Sequence, residues 1–233
     1  MSPGQTTQAA CVSRRTQGAA LLDLTAVAVV LVVLAVLTAR LWSAVQTPAH
    51  AALMLAIIAA GYLLADLLTG LVHWFCDTFF DEATPLIGPG LIAPFREHHR
   101  DPLLINRHGF LELTGSSFRG LAPLLVLFVW QDGSRSAPIN AFVLALASGA
   151  VATNLLHRWA HDPSPPLVAR VLQRTGIVLT PARHATHHQP PYAAGYCVTS
   201  GWMNPVCERL KIWTRAEAVL TAIGFPVSGA DRD

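Results

Sequence analysis

Charge is scarce in this chain. Only 13% of its 233 residues are Asp, Glu, Lys or Arg, about half the roughly 25% usual in soluble domains. Apolar residues take their place: 52% of the chain is hydrophobic and the mean hydropathy is +0.43. That balance excludes an ordinary soluble domain and points to an integral membrane protein. A net charge of only +2, with no block of like charge, excludes a nucleic-acid partner. The four cysteines (Cys11, Cys76, Cys197 and Cys207) form no CxxC pair and no secreted-type framework, so they read as reduced thiols. Lysine is almost missing: fifteen of the sixteen basic residues are Arg, and Lys211 stands alone. This is the bias of a GC-rich, bacterial-type genome. There is no internal repeat.

Histidine, by contrast, is plentiful, with ten in the chain. The densest stretch is Arg183-His184-Ala185-Thr186-His187-His188. Positions i, i+3 and i+4 of a helix share a face, so the spacing predicts His184, His187 and His188 aimed at one spot. Neutral imidazole is the commonest nitrogen ligand for iron, zinc and copper. The stretch reads as part of a metal site.

Taken in order, residues 1–18 form a polar, acid-free tail carrying Arg14 and Arg15, and residues 19–233 form a single membrane-embedded domain. Ala19 to Ala39 contains one charge, Asp23, and matches the ~20 residues that cross a bilayer. A break at Pro48 precedes a second apolar run, Ala49 to Trp74, with Asp66 and His73 near its far end. Leu121 to Trp130 is short for a span; it reaches membrane length by including Leu113 to Gly120, with Arg119 snorkelling to the interface. Gly133-Ser134 and Pro138 mark a tight connection to a fourth run, Ala137 to Leu156, which ends in His157-Arg158-Trp159-Ala160-His161. The remainder is polar and amphipathic. The fold expected is all-α, with about four transmembrane helices and a histidine-rich di-metal site.

The basic residues set the topology. Arg14 and Arg15 precede the first span, Arg96, Arg100 and Arg107 lie between the second and third, and most of the others follow the fourth. The positive-inside rule places all three segments, and both termini, in the cytoplasm. Nine histidines then fall at the cytoplasmic side, and only His50 lies at the opposite face. If the third run did not cross, His73 and His157 would be on opposite sides of the membrane.

His157 and His161 are i, i+4, and so are His73 and Asp77. Asp66 lies on the same stripe, about 10 Å deeper, where an acid marks function or a buried polar contact. The adjacent His98 and His99 are about 100° apart on a helix, which suits two metals, or a ligand and a supporting neighbour, better than one metal. One zinc needs four ligands; eight or nine histidines from four segments suit two irons with open positions. Two irons can activate dioxygen against an unactivated C–H bond, and a centre at the membrane surface implies a lipid chain as substrate. Asp77, one turn from His73, is placed to hold the outer N–H of a ligand imidazole.

Five stretches carry a family resemblance: DLLTGLVHWFCD (66–77), FREHH (95–99), NLLHRWAH (154–161), HATHH (184–188) and YCVTSGWMN (196–204). Together they resemble, from about Tyr62 to Leu220, the Kua-type lipid desaturases. These include plasmanylethanolamine desaturase and the plant plastid phosphatidylglycerol desaturase. The resemblance implies an iron- and dioxygen-dependent oxidoreductase with a di-iron centre, acting on a membrane lipid and drawing electrons from a donor protein. Carried over by position, its metal histidines are His73, His98, His99, His157, His161, His184, His187 and His188, with His108 and Asp66 as possible additions. FREHHRDP and Arg107-His108 are similar to the plasmalogen branch, which makes an alkyl ether into a vinyl ether. HHQPPY is closer to the plant branch, and further histidines of the plasmalogen branch, near Gly176 and Tyr192, are absent here. The acyl-lipid reading therefore stays open. So do two non-enzymatic ones: a bis-histidine haem carrier, needing facing pairs within the spans, and a metal transporter, needing ligands near the midplane.

Overall fold

A computed structural model of the chain describes residues 17–131 and 136–227. Cys11, Arg14, Arg15 and the Gly133-Ser134 connection lie outside them. Among the described residues every regular element is helical, apart from one isolated bridge between Phe79 and Val227.

Four helices, α1 (Gln17–Ala44), α2 (Pro48–Thr78), α4 (Phe110–Gln131) and α5 (Ala137–His161), are long and apolar enough to cross a membrane. Between α2 and α4 lies the short α3 (Ala93–Arg100). After α5 come α6 (Leu167–Thr175), α7 (Pro181–His184), α8 (Asn204–Arg209) and α9 (Ile212–Ala222). The start of α2 follows from its first residues. Thr47 accepts the His50 N–H through Oγ1 at 3.1 Å, and Pro48 sits where the missing N–H costs nothing. The four spans keep leucine and valine on their outer surfaces, as at Leu31, Val32 and Leu124, which is how a helix presents itself to lipid rather than to water.

The weakest span by composition is anchored by its charge. Arg119 finds a partner within the protein: its guanidinium donates to Asp23 of α1, a carboxylate with no exposure. Each charge satisfies the other, so α1 and α4 pack together despite the Pro123 inside α4. Asn154 of α5 adds a hydrogen bond from Nδ2 to the Leu113 carbonyl at 2.8 Å.

α2 and α5 make the most extensive interface, and glycine allows it. A Cβ on Gly61 would stand 2.5 Å from the Phe142 carbonyl oxygen, and one on Gly149 would stand 2.7 Å from the Ala65 Cβ. Backbones this close bring the far ends of the two helices together, and with them His73 and His157. A hydroxyl chain ties the same ends. Thr199 Oγ1 lies 3.0 Å from Thr69 of α2 and 2.6 Å from Thr153 of α5.

Candidate metal centre

Each of the eight sequence-predicted histidines comes from one end of this bundle. α2 supplies His73, α3 supplies His98 and His99, and α5 supplies His157 and His161. α3 is held in place by Arg96, whose buried guanidinium donates to the Phe79 and Phe80 carbonyls at the end of α2. The His184–His188 stretch departs from expectation. The helix α7 stops at His184, and residues 185–188 are turns. Gln189-Pro190-Pro191 follows, and proline disfavours the helical conformation in the residue before it, so no helix can run on beyond the turns. The three imidazoles therefore do not share one helical face; they divide between two groups.

In the first group, ligand nitrogens of His98, His157, His161, His184 and His188 all lie within 4.8 Å of one another. His184 Nε2 is 2.8 Å from His157 Nε2, 2.7 Å from His161 Nε2 and 3.0 Å from His188 Nε2. One neutral imidazole nitrogen cannot serve three others as hydrogen-bond partner. A cation can: two nitrogens at about 2.1 Å from one metal, at a right angle, lie about 3 Å apart. The observed spacing fits a metal and fits no set of hydrogen bonds.

The second group is His73, His98, His99 and His187, again within 4.8 Å. His98 belongs to both, so adjacency on α3 does not prevent His98 and His99 from meeting at one point. Here the outer nitrogens are held by backbone. His73 Nδ1 lies 3.1 Å from the Tyr196 carbonyl oxygen, and His187 Nδ1 lies 2.8 Å from that of Ala194. Those contacts put the protons on Nδ1 and leave Nε2 free toward the centre.

Asp77 is not behind His73, as its i, i+4 spacing suggests, because Tyr196 already occupies that position. Its Oδ2 stands 3.2, 3.4 and 3.5 Å from Nε2 of His73, His99 and His187. Neither carboxylate oxygen has a hydrogen-bond partner, and His73 Nε2 and His98 Nε2 are likewise buried without one. Buried polar atoms left unpaired cost free energy, and here they converge on the point a second metal would occupy. Asp77 faces that point together with the imidazoles.

Two candidates lie outside both groups. Asp66 is fully buried, but its oxygens accept backbone N–H bonds from Thr199, Ser200, Gly201 and Met203 at 2.8–3.1 Å. It acts as a clamp on the loop that presents the Tyr196 carbonyl. His108 pairs through Nδ1 with Glu112 at 3.1 Å and approaches neither centre. The loop's own contribution has no sequence signal, because a backbone carbonyl carries none. Its residues were visible only as the YCVTSGWMN stretch.

Burial keeps three of these imidazoles, His98, His184 and His188, neutral. Burial, and then the neighbouring His99, hold His98 well below the ordinary histidine range; burial and His187 do the same to His184. His188 is lowered to about 2 by burial and the surrounding imidazoles. Neutral imidazole is the form that binds a metal.

The fold and the site define a class: a multi-pass helical membrane protein with a histidine-rich centre, able to hold metal, at one end of its bundle. Comparison with known proteins narrows it. The lipid desaturase domain matches residues 62–225, and the chain belongs to that family. It is 38% identical over 185 residues to a plasmanylethanolamine desaturase of Myxococcus xanthus, covering 78% of this chain and 65% of that one. With plasmanylethanolamine desaturase 1 of Mus musculus it shares 35% over 182 residues, 75% of this chain and 67% of the other. With the chloroplastic fatty acid desaturase 4 of Arabidopsis thaliana it shares 35% over 165 residues, 69% of this chain and 49% of the other. The chain thus spans about two thirds of the first two relatives and about half of the plant one. No solved structure matches it.

Proposed function

We propose that this protein is a dioxygen-dependent lipid desaturase with two irons, acting on alkyl ether phospholipid to give the vinyl ether. The observation that carries the reading is the pair of imidazole groups sharing His98, with Asp77 facing the second. His157, His161, His184 and His188 would hold one iron; His73, His99, His187 and Asp77 would hold the other; His98 stands between them. Bound there, two irons supply the activation of dioxygen needed to remove hydrogen from an unactivated C–H bond. The balance is two hydrogens from adjacent carbons, two external electrons and two protons, with dioxygen reduced to two waters. The electrons require a donor protein.

This chain's own part is to hold, orient and exclude water. The Tyr196 and Ala194 carbonyls fix the tautomers of His73 and His187, and Asp66 fixes the loop that carries Tyr196. The glycine-mediated approach of α2 to α5 sets the distance between the two halves of the cage. With both chain ends on the cytoplasmic side of a bacterial inner membrane, the cage faces the cytoplasm, level with lipid headgroups. The reacting bond then lies near the headgroup end of the chain. A haem carrier needs a flat macrocycle between two imidazoles, and nitrogens 2.7–3.2 Å apart leave no such gap. A transporter's ligands belong near the midplane, whereas these stand at the span ends.

The ether substrate is favoured by the FREHHRDP and Arg107-His108 stretches and by the likeness to the plasmanylethanolamine desaturases of Myxococcus and mouse. The test is expression in a host lacking both activities, supplied with alkyl-acyl phospholipid, and mass spectrometry for acid-labile vinyl ethers. Vinyl ether is expected from the native protein and not from His184→Ala, while His50→Ala stays active. A new double bond near the carboxyl end of an acyl chain, with no vinyl ether, would establish the plant-type activity instead.

A further inference from the structure

The helix α6 (Leu167–Thr175) follows the last span and contributes to neither imidazole group. At about 100° per residue, its sequence LVARVLQRT divides around the helix into three arcs. One arc faces the protein. Ala169 has no exposure, and Gln173 donates through Nε2 to the Trp159 and Leu179 carbonyls at 3.1 and 3.3 Å. The second arc is apolar and open, with Leu167, Val168 and Val171 66%, 56% and 48% exposed. The third, on the flank of that open arc, carries Arg170 and Arg174, both exposed.

The depth of α6 follows from its tie to α2. Tyr62 of α2 donates Oη to the Ile177 carbonyl at 3.0 Å, just past the end of α6. Its ring meets that of Trp202 edge-on with centroids 6.4 Å apart, and Trp202 donates Nε1 to the Gly176 carbonyl at 2.8 Å. Counted from Pro48 at the start of the span, Tyr62 stands about 21 Å along the helix. Arg40 and the exposed Trp42, at the end of α1, mark that starting side as the opposite membrane face. The end of α6 therefore lies within a hydrocarbon layer of about 30 Å. Even standing upright, α6 would end about 35 Å from Pro48, still among headgroups. At this depth the open arc, continued by the exposed Ile177 and Trp202, borders acyl chains rather than water. The long stems of Arg170 and Arg174 let their charges reach the phosphates above.

We propose that α6 is an interfacial helix. It lies along the border of the bilayer at the end that carries the imidazoles, with Leu167, Val168 and Val171 among acyl chains and Arg170 and Arg174 at lipid phosphates. The contact also bears on the centre. Arg183, next to His184, donates to the Gly176 carbonyl at 2.8 Å, so the helix resting on the bilayer sets the height of α7.

The test uses the full-length protein in nanodiscs of phosphatidylglycerol and phosphatidylcholine, with Cys11→Ser leaving only buried thiols. A nitroxide is attached in turn at Val168→Cys, Val171→Cys, Arg174→Cys and, as a lipid-facing reference, Leu124→Cys on α4. Collision with dioxygen, which concentrates among acyl chains, is compared with collision with a neutral nickel chelate, which stays in water. Labels at Val168 and Val171 favour dioxygen several-fold, as at Leu124, and the label at Arg174 favours nickel. An unchanged melting temperature shows that each labelled protein is folded, and Leu167→Cys replaces any that is not. Nickel access at Val168 and Val171 equal to that at Arg174 overturns the proposal. So does shielding of both valine positions from both reagents, because polypeptide would then cover the arc. A dioxygen preference at Arg174 as strong as at Val171 overturns it too, since the helix would be immersed and not at the border. No arm depends on metal or turnover, so desaturation can fail its own test without affecting this one.

Discussion

At the scale of single residues, the most informative side chain is Asp77. A carboxylate behind a ligand imidazole tunes it; a carboxylate among the imidazoles of the second group supplies charge and an oxygen directly to the ion. Asp77→Asn keeps the shape and removes the charge. Iron content or rate is expected to fall by roughly 10–100-fold, the scale seen when groups supporting a metal are lost. Elemental analysis beside turnover checks it, and full iron with full activity would remove Asp77 from the centre. Asp66 looks equivalent from the sequence, as another acid on the same helical stripe. Its four backbone hydrogen bonds give it a different task, and nothing in its spacing announced that.

At the scale of elements, the spans were legible because a run of about 20 apolar residues has few alternatives in a bilayer. The third was legible only through the topology it had to satisfy. Its physical support, the Arg119–Asp23 pair, joins residues 96 positions apart, and no local pattern predicts such a partner. The histidines were legible from type and number. Their division between two groups was not, since it depends on α7 ending at His184. Removing the arginine leaves the buried Asp23 carboxylate stranded. Arg119→Met alone is expected to destabilise the protein by about 3–5 kcal/mol, and Asp23→Leu, which leaves the partly exposed Arg119, by less. The double substitution should recover most of that loss. Thermal unfolding in detergent of the four proteins completes the cycle, and additive losses would mean the pair does not join α1 to α4.

At the scale of the whole molecule, the imidazoles hold the bundle to a pH window. The folded-state pKa values of His98, His184 and His188 lie below the unfolded value of about 6.5. Above pH 6.5 neither state binds these protons. Below it the unfolded chain takes them up and the folded one refuses, costing up to about 1.4 kcal/mol per pH unit for each histidine. The melting temperature of metal-free protein should therefore drop between pH 7 and 5, and a flat profile would show that the cage opens to protons. The length of α2 has a different consequence. His73 lies 25 residues beyond Pro48, about 37 Å along the helix, against a hydrocarbon layer of about 30 Å. If Pro48 marks one edge of that layer, the ligands stand several ångströms past the other, and a reacting lipid is drawn up head first with its tail still in the bilayer. Such an enzyme measures from the polar end and never senses the methyl end. Ether lipids with alkyl chains of fourteen, sixteen or eighteen carbons should then be unsaturated at the same bond and at similar rates, whereas a rate peaking sharply at one length would mean that the whole chain is swallowed.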